Sequence, residues 1–375
     1  MKDFDAIIVG GGIIGASLAF ELAGRKLRVL ILDRQEPARE ASWAAAGMLT
    51  PSPDTADAAP LVPLAKKSLA LYPEFIRDIE NASGMQTGWQ RNGALELFFG
   101  AEGADERDAF VANYKRLGLD VESLDIASAR RMEPAIGPEA TAAAWFAEEC
   151  MLDPRVLCQV VLAAGAARGV ELRTGIAVDR VLTEQGRCNG VGAKEESYRA
   201  ANTIVAAGCF AGSLEGAARY CPTRPARGQM IALESAEITL NRVVRSAHGY
   251  VVPRGSGLFV AGSTIENAGF EKQVTAGGIS KILAAATKLV PALSSAAIRE
   301  TWAGLRPGTP DHMPIIGPAD IKGLWIASGH YRNGILLAAV TAKSLAEWIA
   351  QGTQSPLLEP YSPMRFITEP RAAAR

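Results

Sequence analysis

Apolar positions along this chain fall into short solid runs, which read as buried strands, and longer stretches of 3.6-residue period, which read as helices. Residues 6–9 suit one strand, and 27–32 a second that ends at Asp33. Between them, 13–23 reads as a helix, with Leu18 and Leu22 on one face and small Ala16 and Ala19 toward the strand. Gly24 is the expected stop of that helix. Residues 36–63 carry little regular pattern. A helix is expected over 64–83, strands within 88–99, helices over 105–117 and 125–132, and a strand around Trp145, a block that reads as an α+β insertion.

Asp153 followed by Pro154 signals a helix start, with the carboxylate as N-cap and proline at N1, running on through 160–167. Strands are expected at 170–174, 177–183 and 198–205, with a hairpin turn at 186–190. Further strands follow at 229–234, 243–252 and 257–263, with a turn at 254–257 and a helix over 276–289. A strand at 323–328, a glycine-bounded turn at 329–334 and a helix over 335–350 return the chain to its first domain.

The first strand and helix are joined by Gly10, Gly12 and Gly15, spaced G-x-G-x-x-G, and Asp33 stands eighteen residues beyond the third glycine. The first glycine permits a sharp turn, the second lets backbone approach a pyrophosphate, and the third lets helix and strand pack closely. Free N–H groups and the helix dipole then hold phosphate, and the carboxylate accepts from a ribose diol. The strand ending in Gly208, with Phe210 after it, reads as a second approach to a dinucleotide and favours FAD. The predicted fold class is α/β. A discontinuous Rossmann-like FAD-binding domain is expected from 1–83, 150–222 and 305–365. An α+β substrate domain with an antiparallel sheet is expected from 84–149 and 223–304, and a tail from 366–375.

A length of 375 residues suits about two domains, and 48% hydrophobic residues sustain a sizeable core. A net charge of −1 gives no reason to expect nucleic acid or an anionic membrane surface. The apolar runs break well short of the ~20 residues that span a bilayer, so no membrane span is expected. The fingerprint starts within ten residues of Met1, which leaves no room for a signal peptide and leads us to expect a cytoplasmic protein. Cys150, Cys158, Cys188, Cys209 and Cys221 form no C-x-x-C and are expected as reduced structural thiols. His248, His312 and His330 have no ligand-like spacing, and no metal is expected.

Five stretches carry a resemblance: VGGGIIGASLAFELA, ASWAAAGMLTP, YVVPR, WAGLRPGTPDHMPIIG and GHYRNGILLA. In this order the chain resembles the glycine oxidases, of the D-amino-acid-oxidase group of flavoproteins, over nearly its whole length. The resemblance implies FAD and oxidation of glycine or another small amine or D-amino acid to an imine, which supplies thiamine biosynthesis or hydrolyses to an oxo acid. Oxygen is the acceptor and becomes hydrogen peroxide. Some members of the wider group attach flavin through a C-terminal cysteine; this chain has no cysteine after Cys221, so non-covalent FAD is expected. A homo-oligomer is also expected.

The resemblance places Arg306 and Tyr250 on the substrate carboxylate, with Arg332, His248, Met48 and Ile265 around the substrate. Hydride transfer needs orientation more than acid–base groups, and a guanidinium pairs bidentately with a carboxylate. Arg306 between Gly304 and Pro307 has small neighbours that leave room for a ligand; its alternative role is an interdomain ion pair. The alternatives are a sheet aromatic for Tyr250, a surface charge for Arg332 and a structural role for His248. Implied cofactor contacts are Gly10, Gly12, Ile13, Ile14, Gly15, Asp33 and Arg34; then Ala41, Ser42, Ala46, Gly47, Met48, Val178 and Gly208; and finally His330, Tyr331, Arg332, Asn333, Gly334, Ile335 and Leu336. Departures are Asp33 for glutamate, Ala339 for proline, Trp43 for a smaller residue that could crowd the flavin-side loop, and Ile265 for a pocket methionine. Other readings are a dehydrogenase of D-amino acids, sarcosine or proline with a non-oxygen acceptor, a nicotinamide-dependent dehydrogenase, and a tRNA-modifying flavoprotein.

Overall fold

The computed structural model describes residues 4–53 and 56–367; the expected tail lies outside the described residues from 368 onward. Two sheets organise the chain. The first has the order Ile315–Pro318, Leu324–Ser328, Glu196–Val205, Phe4–Val9, Val29–Leu32 and Glu171–Arg173. Its last five strands are parallel and the first is antiparallel to its neighbour. Every residue of Val29–Leu32 is buried, the mark of a sheet covered on both faces. Helix Ile13–Gly24 packs on Pro154–Ala167 and Gly334–Gln351, which also meet the long helix Val62–Ser83, in one apolar core.

The second sheet has the order Ala297–Gly308, Arg224–Glu234, Leu258–Gly262, Gly249–Pro253, Val243–Ser246, Ala94–Phe99, Ala140–Phe146 and Glu122–Asp125. It is antiparallel as expected except where Val243–Ser246 runs parallel to Ala94–Phe99. Helix Ala276–Leu289 covers it through Ile282, Ala286 and Leu289. Asp153 caps the Pro154 helix by accepting from the Arg155 N–H at 2.8 Å.

Several expectations differ from the structure. Gly24 is the last helical residue, and the left-handed turn falls on Lys26 with φ 68°. A Cβ at Gly24 would lie 2.6 Å from Arg168 Nη1, so the glycine makes room for that side chain. The hairpin turn expected at 186–190 sits on Gln185 and Gly186, both at positive φ, because Arg187–Ala193 is itself a strand. The run 243–252 is a hairpin of Val243–Ser246 and Gly249–Pro253. The strand expected at 177–183 begins only at Arg180, leaving Val178 in a loop. Strand Ala297–Gly308 was not expected; it pairs along the whole of Arg224–Glu234, so the expected boundary between 304 and 305 falls inside one continuous strand.

Candidate active site

The three N-terminal glycines have three distinct environments. Gly10 has φ 106°, and a Cβ there would lie 2.6 Å from the carbonyl oxygen of Ala206, just past the neighbouring strand Glu196–Val205. At Gly15 a Cβ would lie 2.0 Å from the Gly10 carbonyl oxygen, so glycine lets the helix rest directly on the end of the first strand. Gly12 differs. Its φ of −71° and ψ of 178° suit any residue, and among the described residues a Cβ there would meet only Ser42 Oγ, at 3.3 Å. The space it leaves open belongs to a cavity at the N-terminus of helix Ile13–Gly24, where the Ile13 N–H donates to Ser42 Oγ at 3.0 Å. A hydroxyl and helix N–H groups around an open backbone suit a phosphate, so the residues present fit a dinucleotide.

Asp33 closes this end. Its Oδ2 accepts from the Gly11 N–H at 2.7 Å and its Oδ1 from the Gln35 N–H at 3.0 Å. Burial raises its pKa, and the two backbone bonds work against the rise. Arg34 lies 3.6 Å over the Phe210 ring, and Glu40 bonds both Arg34 and Gln35.

The cavity encloses about 390 Å³ and runs from Asp33 and Arg34 to Tyr250 and Arg306. It brings together Gly10, Gly12, Ile13 and Ile14 with Ala41, Ser42, Ala46, Gly47 and Met48. Val178 and Gly208 line it from the first sheet's loops, and residues 330–335 from the C-terminal turn. Four expected positions lie elsewhere. Gly15 lies on the face of its helix turned to the first strand, and Leu336, in the first turn of helix Gly334–Gln351, faces the core. His248 and Ile265 line a separate outer groove. His248 occupies the hairpin turn, and a backbone bridge between Arg227 and Glu266 leaves Ile265 outward and 57% exposed. Trp43 packs its ring against Arg39 and Arg155 rather than into the cavity, so it does not crowd it.

At the far end, Arg306 rises from strand Ala297–Gly308. Its Nη2 donates to Ser263 Oγ at 2.8 Å and its Nη1 to the Thr264 carbonyl at 3.1 Å. Tyr250, 9% exposed, donates its hydroxyl to Met230 Sδ at 3.3 Å. His330 is buried with Nε2 at 3.1 Å from the Thr341 hydroxyl, and burial pushes its pKa down to about 3, so it is neutral. Tyr331 has φ 48°, and its N–H donates to the Pro307 carbonyl at 3.1 Å, tying the turn to the Arg306 strand.

Sequence reasoning missed Gly228, Met230 and Ser263, all of which line the cavity, whereas Phe210, marked in the sequence as part of the second approach, lines it as expected. Only Gly228 carried a signal, since glycine inside a strand marks a close approach. Arg254, noted only within YVVPR and the 254–257 turn, ties the second sheet to the paired strands Met48–Leu49 and Cys150–Met151 by donating to the Leu152 carbonyl at 2.8 Å and to the Ala46 carbonyl. Burial lowers its pKa to about 10. Trp302 adds a second tie, its Nε1 donating to the Ala44 carbonyl at 3.2 Å. Among the described residues no cluster suited to a metal ion occurs, and no helix is long and apolar enough to cross a membrane.

The family model for FAD dependent oxidoreductases, DAO, matches residues 5–348. The bifunctional protein ThiO/ThiG of Trichormus variabilis is 35% identical over 366 residues, covering 96% of this chain and 55% of that protein. The chain thus spans about half the length of the bifunctional relatives it matches. The glycine oxidase of Pseudomonas putida is 32% identical over 362 residues, covering 95% and 97% of the two chains. The crystal structure of glycine oxidase from Geobacillus kaustophilus superposes with a TM-score of 0.91 at 29% identity, covering 97% of this chain and 99% of that one.

Proposed function

From the premise that this chain belongs to the FAD dependent oxidoreductase family, we propose that it oxidises glycine or a similarly small amine or D-amino acid to the imine, with oxygen reduced to hydrogen peroxide. The imine then hydrolyses to an oxo acid or feeds thiazole formation in thiamine biosynthesis, a reading supported by the kinship to ThiO/ThiG proteins. The first sheet and its loops serve as the cofactor-binding unit and the second sheet as the substrate unit. The observation that carries this reading is the position of the Arg306 guanidinium: it stands in the wall of the same cavity that has the open backbone at Gly12 and the carboxylate of Asp33.

FAD, bound without a covalent link, supplies a hydride acceptor. Gly12, Ser42 and the start of helix Ile13–Gly24 hold its phosphates, and Asp33 its ribose. Arg306 clamps the substrate carboxylate through charge-assisted bonds, with the Tyr250 hydroxyl beside it, so that the Cα–H is held in one orientation. Neutral His330 adds no charge to the buried cofactor end. Met48 and Met230 line the cavity in one apolar cluster with Tyr250, which suits a small substrate held by its carboxylate.

Peroxide release under air from glycine, sarcosine, D-alanine and D-proline tests the reading, and substrate-dependent bleaching of the flavin without peroxide would favour a dehydrogenase. Arg306→Leu removes charge-assisted bonds worth about 1.5–3 kcal/mol each. A combined loss of roughly 3–4 kcal/mol is about 10²–10³ in kcat/KM, and Arg306→Lys should fall between. Loss of flavin in Arg306→Leu, or equal slowing of amines that lack a carboxylate, would refute the assignment.

A further inference from the structure

Arg306 does not stand on its own strand unaided. Its neighbour in the sheet is Arg224–Glu234, with Ala226 directly across and Gly228 one step diagonal on the same face. A Cβ built on Gly228 would lie 2.1 Å from Arg306 Nη1 and 2.4 Å from both Cζ and Nη2, so the guanidinium lies flat on the Gly228 backbone. The edge of the guanidinium is held by Ser263 Oγ and the Thr264 carbonyl.

The segment that supplies those two acceptors is itself anchored. The Gln229 N–H donates to Thr264 Oγ1 at 2.9 Å, and the backbones of Arg227 and Glu266 exchange two bonds of 2.9 Å. Glu266 accepts from Arg227 Nε at 2.6 Å and from Gln229 Nε2 at 2.7 Å, and Gln229 is fully buried. Burial of Glu266 opposes its ionisation, but the bonds from Thr264, Arg227 and Gln229 outweigh that and hold its carboxyl below the usual range. A planar fork is useful only if its plane is fixed, and here one strand face and one anchored loop fix it. Ser263 also stands where the main cavity and the outer groove meet.

We propose that Gly228 and Ser263 form a seat that sets the plane of the Arg306 guanidinium for the substrate carboxylate, with Glu266 as the positioning residue that holds the seat in place. This rests on the reading of Arg306 as the carboxylate ligand. It assigns specificity for carboxylate-bearing amines to the second sheet's Arg224–Glu234 strand and the loop after Leu258–Gly262.

The test uses the FAD-loaded enzyme. Gly228→Ala adds one methyl against the far end of a flexible side chain, and Gly228 has no positive φ, so the variant folds. We expect its KM for glycine or sarcosine to rise about tenfold with kcat changed less. The ratio of kcat/KM for the amino acid to that for a carboxylate-free secondary amine should fall by the same factor. Acetate, titrated by its effect on the flavin spectrum, should bind about tenfold more weakly. Ser263→Ala should act in the same direction, Ser263→Thr should restore most of the affinity, and Glu266→Gln should fall between. In an Arg306→Leu background, Gly228→Ala should add nothing. If Arg306→Leu abolishes carboxylate selectivity while Gly228→Ala and Ser263→Ala leave KM and acetate binding unchanged, the seat is refuted and the clamp survives. If Arg306→Leu itself leaves selectivity intact, the clamp fails and the seat with it.

Discussion

Two glycines three residues apart should respond to substitution in opposite ways. At Gly15 an added Cβ would sit 2.0 Å from the Gly10 carbonyl oxygen and 3.1 Å from Ile8 Cγ2, in a fully packed helix–strand contact. Relief requires the helix to move off the strand by more than an ångström. Overpacking of cores costs about 1–3 kcal/mol, and a clash with backbone belongs at the upper end. For Gly15→Ala we expect a loss of about 3 kcal/mol, on the order of 4 °C in Tm for a chain of 375 residues. At Gly12 the backbone is one that valine adopts freely, and a Cβ would meet only Ser42 Oγ at 3.3 Å among the described residues. Gly12→Val should therefore leave the unfolding of the flavin-free protein within about 0.5 kcal/mol of native, in the range of unstrained substitutions, yet fill the space next to the helix N-terminus. The comparison must be made on flavin-free protein, since bound ligand stabilises by mass action. Urea unfolding gives the first quantity, and FAD titration followed by protein fluorescence the second. Gly12→Val with native FAD affinity would show that this loop does not approach the pyrophosphate, and Gly15→Ala of native stability would show that the helix can shift without cost.

Two further outcomes follow from buried charge. His330 has a folded pKa of about 3 against an ordinary 6.5, so the unfolded chain binds the extra proton and stability falls as pH drops from 6.5 toward 3. The stability advantage of native protein over His330→Gln in urea should shrink across that window, and a constant difference would refute the burial argument. Arg245 bonds Glu96 at 2.7 Å and both oxygens of Glu149, and all three residues are buried. Arg245→Leu strands two carboxylates and should cost about 3–5 kcal/mol in urea unfolding, a reading that a loss under 1 kcal/mol would overturn.

What could be read from the sequence divides by the distance over which contacts form. The turn from Gly10 to Gly15 and the carboxylate of Asp33 were legible because strand, glycines, helix and second strand are consecutive, and what lies outside that unit reduces to Ala206 and Ala207 against Gly10 and Ser42 beside Gly12. The cap at Asp153 was legible for the same reason. Strand Ala297–Gly308 was not, because its sequence AIRETWAGLRPG does not alternate and its first five residues are exposed at a sheet edge. Its pairing with Arg224–Glu234 is what makes it a strand. His248 was expected in the substrate pocket as the residue two before Tyr250 and Ile265 from the resemblance; the hairpin turn between Ser246 and Gly249 carries the first to the outer groove, and the Arg227–Glu266 bridge, invisible in local pattern, turns the second there.

The same division separates the two chemical tasks. Loops at the C-terminal ends of the parallel strands, 10–12, 206–208 and 329–334, all open on one cavity, as expected where ligands bind to a doubly wound sheet. Those loops are built from short-range signals, so the cofactor end has little freedom to vary without losing its shape. The carboxylate end is assembled from an edge strand, its neighbour and a loop that follows a third strand. It is held to the segments at 44–46 and 152, beside the cofactor end, by Arg254 on the Ala46 and Leu152 carbonyls and by Trp302 on Ala44. Changing which amine is accepted therefore requires no change in the glycine fingerprint. Substitutions at Gly228, Met230 or Ser263 would suffice, because each lines the cavity on the second sheet's side without contributing to the turn at Gly10–Gly15.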